Sequence, residues 1–201
     1  MKLALCLFFL PLISFPTKAQ MQPGRWQIGA ELNQFTYQKI APNHTTYTGL
    51  VTPSIGYFLG KNLVVSLGLP LGINANKNTP IQFEESQTRV GLSASLRYYI
   101  GQSSFKPFVG FSYNYLQNVN TYKIVGDKYT GKDHSTLLAP SIGLAYSLTN
   151  KLVLVTSLNY LLNTNESSRL VIPSTGNSLD AASPNDQSLS LGLGLQFILG
   201  K

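Results

Sequence analysis

Apolar residues recur at every second position through much of this chain. Leu63, Val65, Leu67, Leu69, Leu71 and Ile73 form one such series. Leu189, Leu191, Leu193, Leu195, Phe197 and Leu199 form another, interleaved with Ser190, Gly192, Gly194, Gln196 and Ile198. A period of two places successive side chains on opposite faces of a strand, so one face is apolar and the other small or polar. Ordinary strands run about 5–6 residues, whereas a strand that crosses a bilayer at a tilt needs about 9–11. The pattern predicts eight segments of the longer kind: Gly24–Thr36, Thr46–Leu59, Asn62–Asn74, Thr88–Ile100, Lys106–Asn118, Thr136–Leu148, Lys151–Asn163 and Ser188–Leu199.

The connections between these segments alternate in length. Tight turns are expected at Gly60-Lys61, Gly101–Phe105 and Thr149-Asn150. The other connections are longer, the longest being Val119–Ser135 and Thr164–Gln187, both rich in turn-forming residues. An even number of strands with short turns at one rim and long loops at the other describes a transmembrane barrel. Closure is required because lipid cannot satisfy an open sheet edge. The expected fold is all-β: an eight-stranded antiparallel up-and-down transmembrane β-barrel with short periplasmic turns and long extracellular loops. Pro53 and Pro140 fall within strand patterns. Each needs a bulge or an irregular pairing, because proline donates no ladder bond.

Aromatic placement supports the same reading. On the apolar face, Trp26, Tyr57, Tyr98, Tyr146 and Phe197 lie near the expected periplasmic ends, and Tyr47, Tyr115 and Tyr160 near the opposite ends. Amphipathic rings are most stable at the headgroup level, so two girdles are expected. Strand propensity alone explains the abundance of Tyr and Trp, but not their two levels.

Lys2, the apolar run from Leu3 to Phe15 and the small residues at Thr17 and Ala19 read as a secretory leader. The expected division is a signal peptide over residues 1–19 and a barrel domain over residues 20–201. The apolar run is shorter than the roughly 20 residues of a spanning helix. The sole cysteine, Cys6, falls within the leader, so no disulfide framework is expected. Charged residues make up 11% of the chain, against about 25% in soluble domains; much of this surface is not built for water. Without Lys2 and Lys18, thirteen basic residues face eight acidic ones, a balance of +5 with no basic run. Nucleic-acid binding, which needs a clustered basic stripe, is not expected.

The stretch PSIGYFLGKNLVV, Pro53 to Val65, and its partial copy PSIGLAYSLTNKLVL, Pro140 to Leu154, resemble the strand–turn–strand unit of small outer-membrane β-barrel domains, the porin-like group with OmpA- and OmpX-type eight-stranded barrels. The resemblance spans most of the chain and implies a barrel resident in the outer membrane. It carries over no catalytic residue.

Eight strands enclose an interior that side chains roughly fill. The expected inward face carries Arg25, Gln27, Glu31 and Asn33 on the first segment, and Arg89, Ser93, Ser95 and Arg97 on the fourth. A buried charge is costly unless paired, so Glu31 is expected to pair with Arg89 or Arg97. The alternative is that some of these groups reach water at a rim. Leu50, Leu137, Val153, Val155 and Ile198 make other parts of the inward face apolar, which points to a packed plug, with a small greasy cavity as the alternative. His44 and His134 have no metal-ligand spacing. His134 and Ser135 are adjacent, and on a strand they would face opposite ways, as would Asp133, which weakens a hydrolase reading. No catalytic, metal or cofactor site is therefore assigned.

The leading expectation is an integral outer-membrane protein with a structural or surface-interaction role in adhesion or envelope integrity. Its expected surroundings are outer-membrane lipids and lipopolysaccharide, with an extracellular ligand at the long loops; it is read as a monomer. Three alternatives stand beside this: a small channel or carrier for a hydrophobic solute, a soluble lipocalin-like binding barrel, and a lipid A acyl-modifying enzyme.

Overall fold

The computed structural model describes residues 21–41, 44–78, 83–124, 127–165, 168–171, 178–181 and 186–200. The expected leader lies outside them. Among the described residues the strands are β1 (Trp26–Ala41), β2 (His44–Gly60), β3 (Leu63–Gly68), β4 (Leu71–Asn78), β5 (Phe83–Tyr99), β6 (Phe105–Ile124), β7 (Asp127–Ser147), β8 (Leu152–Asn165), β9 (Ser168–Val171), β10 (Ser178–Ala181) and β11 (Asp186–Leu199). β3 and β4 are two halves of one stave, each pairing with both β2 and β5. The antiparallel order β1, β2, β3 with β4, β5, β6, β7, β8 and β11 returns to β1 and closes a ring of eight staves. β9 and β10 form a separate two-stranded hairpin.

Two prolines shape the walls. Pro53 pairs with Ala30 on β1. On its other side the ladder passes from Val51↔Leu71 to Ser54↔Gly68, skipping Thr52 and Pro53. Pro140 pairs with Phe111, while on the β8 side the pairing jumps from Leu138↔Leu162 to Ser141↔Asn159. Each proline thus sits where one ladder is interrupted and its missing N–H costs no bond.

The chain between Val119 and Ser135, expected as a loop, is mostly strand. β6 continues to Ile124 and β7 starts at Asp127, with the register held from Val119↔Lys132 to Ile124↔Asp127. The asparagine, glycine, aspartate and serine of this stretch are turn and loop formers. The β-formers Thr121 and Thr130 stand opposite each other, and such cross-strand pairs favour continued pairing. At 20 and 21 residues, β6 and β7 far exceed a bilayer crossing of about 9–11. The segment Thr164–Gln187, also expected as a loop, contains β9 and β10 and the first residues of β11.

Side chains alternate as a barrel in lipid demands. Leu189 and Leu191 are 69% and 77% exposed, while the intervening Ser190 and the more distant Gln196 are buried. A lipocalin-like barrel would need this leucine stripe to point inward; it points outward. The inside is layered. Met21, Phe58, Val64, Tyr99, Phe108, Val153 and Ile198 pack an apolar plug near the short turns. Leu116, Leu137, Ala139 and Leu161 form a second apolar cluster towards the other rim. Small inner residues make room for the plug: a Cβ on Gly143 would collide with the Phe108 ring and the Thr156 carbonyl oxygen.

Candidate functional site

A polar layer lies between the two apolar clusters. Glu31 on β1 and Arg97 on β5 belong to staves separated by others in the ring, so only side chains crossing the lumen can join them. Arg97 Nη2 lies 2.6 Å from Glu31 Oε1. Gln196 Nε2 donates to the same oxygen at 3.0 Å, and the Tyr99 hydroxyl donates to Gln196 Oε1 at 3.1 Å. The Arg97 guanidinium also stands 4.5 Å from the centroid of the Phe108 ring, a cation–π placement. The two charged side chains are only 14% and 18% exposed, so water supplies little of their solvation and the pairing must supply the rest.

The four charged residues expected inside do not form one network. Arg97 meets Glu31. Arg89 lies further towards the outer rim, where its Nε donates to Gln87 Oε1 at 2.7 Å. Arg25 lies at the other rim, its carbonyl accepting from the Phe58 amide at 2.9 Å. Tyr99, Gln196 and Phe108 complete the Glu31–Arg97 cluster and were not singled out in the sequence. Period two could have found Tyr99, which shares a face with Arg97, and Gln196, which lies on the inward face opposite the leucine stripe.

A cavity of about 80 Å³ adjoins the ion pair, lined by Asn33, Ser95, Ser112 and Asn114 among others. That volume suits a few waters and falls well below the roughly 300–1,000 Å³ of a ligand pocket. A larger cavity of about 520 Å³ lies towards the outer rim, bordered by Gln34, Arg89, Leu116, Leu161 and Leu191.

Of the expected girdle residues, Trp26, Tyr57, Tyr98, Phe197, Tyr47, Tyr115 and Tyr160 are exposed on the outer face, and Tyr146 is half-buried. Trp26 and Tyr57 pair edge-on across β1 and β2, ring centroids 5.0 Å apart. Phe35 meets Tyr47 in the same way at 5.9 Å. The Tyr115 ring stacks on His134 at 5.5 Å. His134 is therefore turned outward, while Ser135 is buried and accepts from Asn118 Nδ2 at 3.1 Å. Asp133 accepts from Asn120 Nδ2 at 3.1 Å. The histidine stands apart from both a nucleophile and an orienting carboxylate, as a triad cannot. Among the described residues no group of three His, Cys, Asp or Glu side chains could hold a metal ion.

Beyond the girdles, Glu84 on β5 bridges Lys77 at 2.8 Å and Lys123 at 3.5 Å. The hydrogen bond from Lys77, the charge of Lys77 and that of Lys123 hold its carboxyl below the usual carboxylate range.

Comparison with known proteins agrees with this geometry. The family model for the outer membrane protein beta-barrel domain matches residues 5–197. No curated protein sequence matches. Among solved structures, a major outer membrane protein from Thermus thermophilus is similar at TM-score 0.54 and 17% identity, over 88% of this chain and 99% of that one. The attachment invasion locus protein Ail of Yersinia pestis, solved with the heparin analogue sucrose octasulfate, is similar at TM-score 0.54 and 10% identity, over 89% and 100%. The outer membrane protein OprG from Pseudomonas aeruginosa is similar at TM-score 0.51 and 12% identity, over 90% and 98%. At such identities the likeness is one of fold.

Proposed function

The chain belongs to the outer membrane protein beta-barrel domain family, and on that premise we propose that it serves as a monomeric structural and surface-interaction element of the outer membrane, acting in adhesion or envelope integrity rather than catalysis. The observation that carries this reading is the contrast between the two ends of the barrel. Near the short turns the lumen is packed by an apolar plug with an ion-paired layer above it, which opposes free diffusion of polar solutes. On the outer side, β6 and β7 run on as a paired hairpin to Ile124↔Asp127. A rigid scaffold that presents a projecting element is the usual architecture of recognition.

The test separates the membrane role from the surface role. The gene is deleted in the source bacterium, then restored either intact or with the hairpin between Asn120 and Gly131 replaced by a short turn. Loss of the whole protein is expected to increase detergent sensitivity. Loss of the hairpin alone is expected to reduce attachment to glycan-coated surfaces, while the shortened barrel still shifts on boiling in a cold detergent gel. Unchanged sensitivity and attachment in both strains would refute the proposal.

A further inference from the structure

The barrel wall is not equally sealed all round. β1 and β11 are paired from Trp26↔Leu199 to Asn33↔Gly192 and no further, although β1 continues to Ala41 and β11 begins at Asp186. Each keeps its other neighbour through this stretch: Thr36 to Lys39 pair with β2, and Asp186 to Leu191 with β8. The separation is therefore confined to one seam. Gln34, with φ of 55°, turns the chain where the ladder stops. Among the described residues one hydrogen bond bridges the strands there, the Gln34 amide donating to Ser190 Oγ at 3.1 Å.

The cavity of about 520 Å³ lies at this seam. Its border includes Phe35, Leu189 and Leu191, whose side chains are on the lipid face, and Leu116, Leu137 and Leu161, which are buried inside. One space thus connects the outer face with the lumen through the wall. At 77% and 69%, Leu191 and Leu189 are the two most exposed large apolar residues described, as expected of side chains that lack a flanking strand. Tyr160, a ring of the outer girdle, pairs with Leu189, and its hydroxyl donates to Gln187 Oε1 at 2.6 Å. The opening therefore sits next to the outer headgroup level. Arg89 and Leu116 stand on β5 and β6, the two staves opposite the seam in the ring. Among the described residues, Arg89 is the only charged one bordering the cavity. It makes no ion pair among them, and Asp133 acts on it only through space.

We infer that this vestibule is a lateral binding site for a single-chain amphiphile with an anionic head. The head enters between β1 and β11 and meets Arg89 on the far wall. The tail rests on the inner leucines and leaves past Phe35, Leu189 and Leu191 into the outer leaflet. A cation facing a hole in an apolar wall selects for a ligand with one charged end and one greasy end. This inference needs only the membrane-spanning barrel and is independent of the adhesion or integrity role proposed above.

The experiment uses the folded full-length barrel in phosphatidylcholine vesicles. Trp26→Phe with Leu161→Trp moves the only tryptophan to the vestibule floor. Stearate bearing a mid-chain nitroxide is compared with phosphatidylcholine bearing the same label at the same depth. Saturable quenching by the labelled stearate, at least about threefold stronger than by the labelled phospholipid, is expected; Arg89→Gln should weaken it about tenfold, the effect of losing one good charge-assisted contact. Equal quenching by the two lipids, or none by either, would overturn the inference. Native mass spectrometry of the unsubstituted barrel gives a second readout that does not depend on the reporter folding. A one-to-one stearate adduct weakened by Arg89→Gln is expected. No adduct, or one that Arg89→Gln leaves unchanged, would overturn it.

Discussion

Replacing Glu31 with glutamine keeps the shape of the lumen and removes its negative charge. In the parent, one carboxylate oxygen accepts from Arg97 at 2.6 Å and from Gln196 at 3.0 Å. After Glu31→Gln, the Arg97 guanidinium keeps the Phe108 ring at 4.5 Å but has no counter-charge in a largely desolvated layer. Breaking a buried pair by removing one partner costs about 3–5 kcal/mol. Because both side chains retain some exposure, 14% and 18%, the lower figure of about 3 kcal/mol applies here. That corresponds to roughly a hundredfold change in the folding equilibrium. Arg97→Met in the same chain removes the stranded charge, and the double variant should recover most of the loss, giving a coupling of at least about 2 kcal/mol in a double-mutant cycle. Reversible urea unfolding in lipid vesicles, followed by fluorescence and by the gel shift of the folded band, measures all four corners. A Glu31→Gln loss below about 0.5 kcal/mol, or additive single effects, would show that the pair is solvated and that the layer contributes little.

Gly143→Ala should destabilise the barrel by about 1–3 kcal/mol, because its new methyl group would press on the Phe108 ring and the Thr156 carbonyl; urea midpoints check this, and a change within error would mean that the plug yields freely. The Glu84 carboxyl is held down by Lys77 and Lys123, so whatever it adds to the outer strands is fully present above its unfolded pKa and is lost as pH falls through the lowered folded value. A carbon-detected NMR titration should find it below the ordinary carboxylate range and find it raised by Lys77→Ala; an ordinary midpoint in the parent would refute the bridge. Trp26, the sole tryptophan and 49% exposed at the short-turn end, should be quenched more by lipids brominated near the headgroup than by those brominated at the chain terminus; the reverse order would remove it from the interface.

Strand identity was legible because period two survives wherever one face meets lipid and the other a narrow lumen. The two aromatic levels favoured an outward Leu189–Leu199 stripe over the inward one that a lipocalin-like barrel would need. Strand ends beyond the membrane were not legible. There neither face is buried in lipid, and Val119–Ser135 loses its apolar alternation while keeping its cross-strand pairing. The inward position of Glu31 and Arg97 followed from alternation alone, but the choice between Arg89 and Arg97 did not. That choice depends on the stagger between β1 and β5, set through the intervening staves and the break at Leu69-Pro70. The seam was hidden for a similar reason. Gln34 lies inside a good strand pattern, and its positive φ leaves no mark in residue type.

The layered interior has an electrical consequence. An ion driven across the barrel would have to leave water at the Phe58, Tyr99 and Val153 plug, at a cost of several kcal/mol or more in lost hydration. Under an applied potential the barrel therefore behaves as a capacitor, with the field concentrated over that plug. The fixed Glu31–Arg97 dipole above it is polarised rather than carried across. Insertion into a planar bilayer should add capacitance noise but no unitary conductance steps.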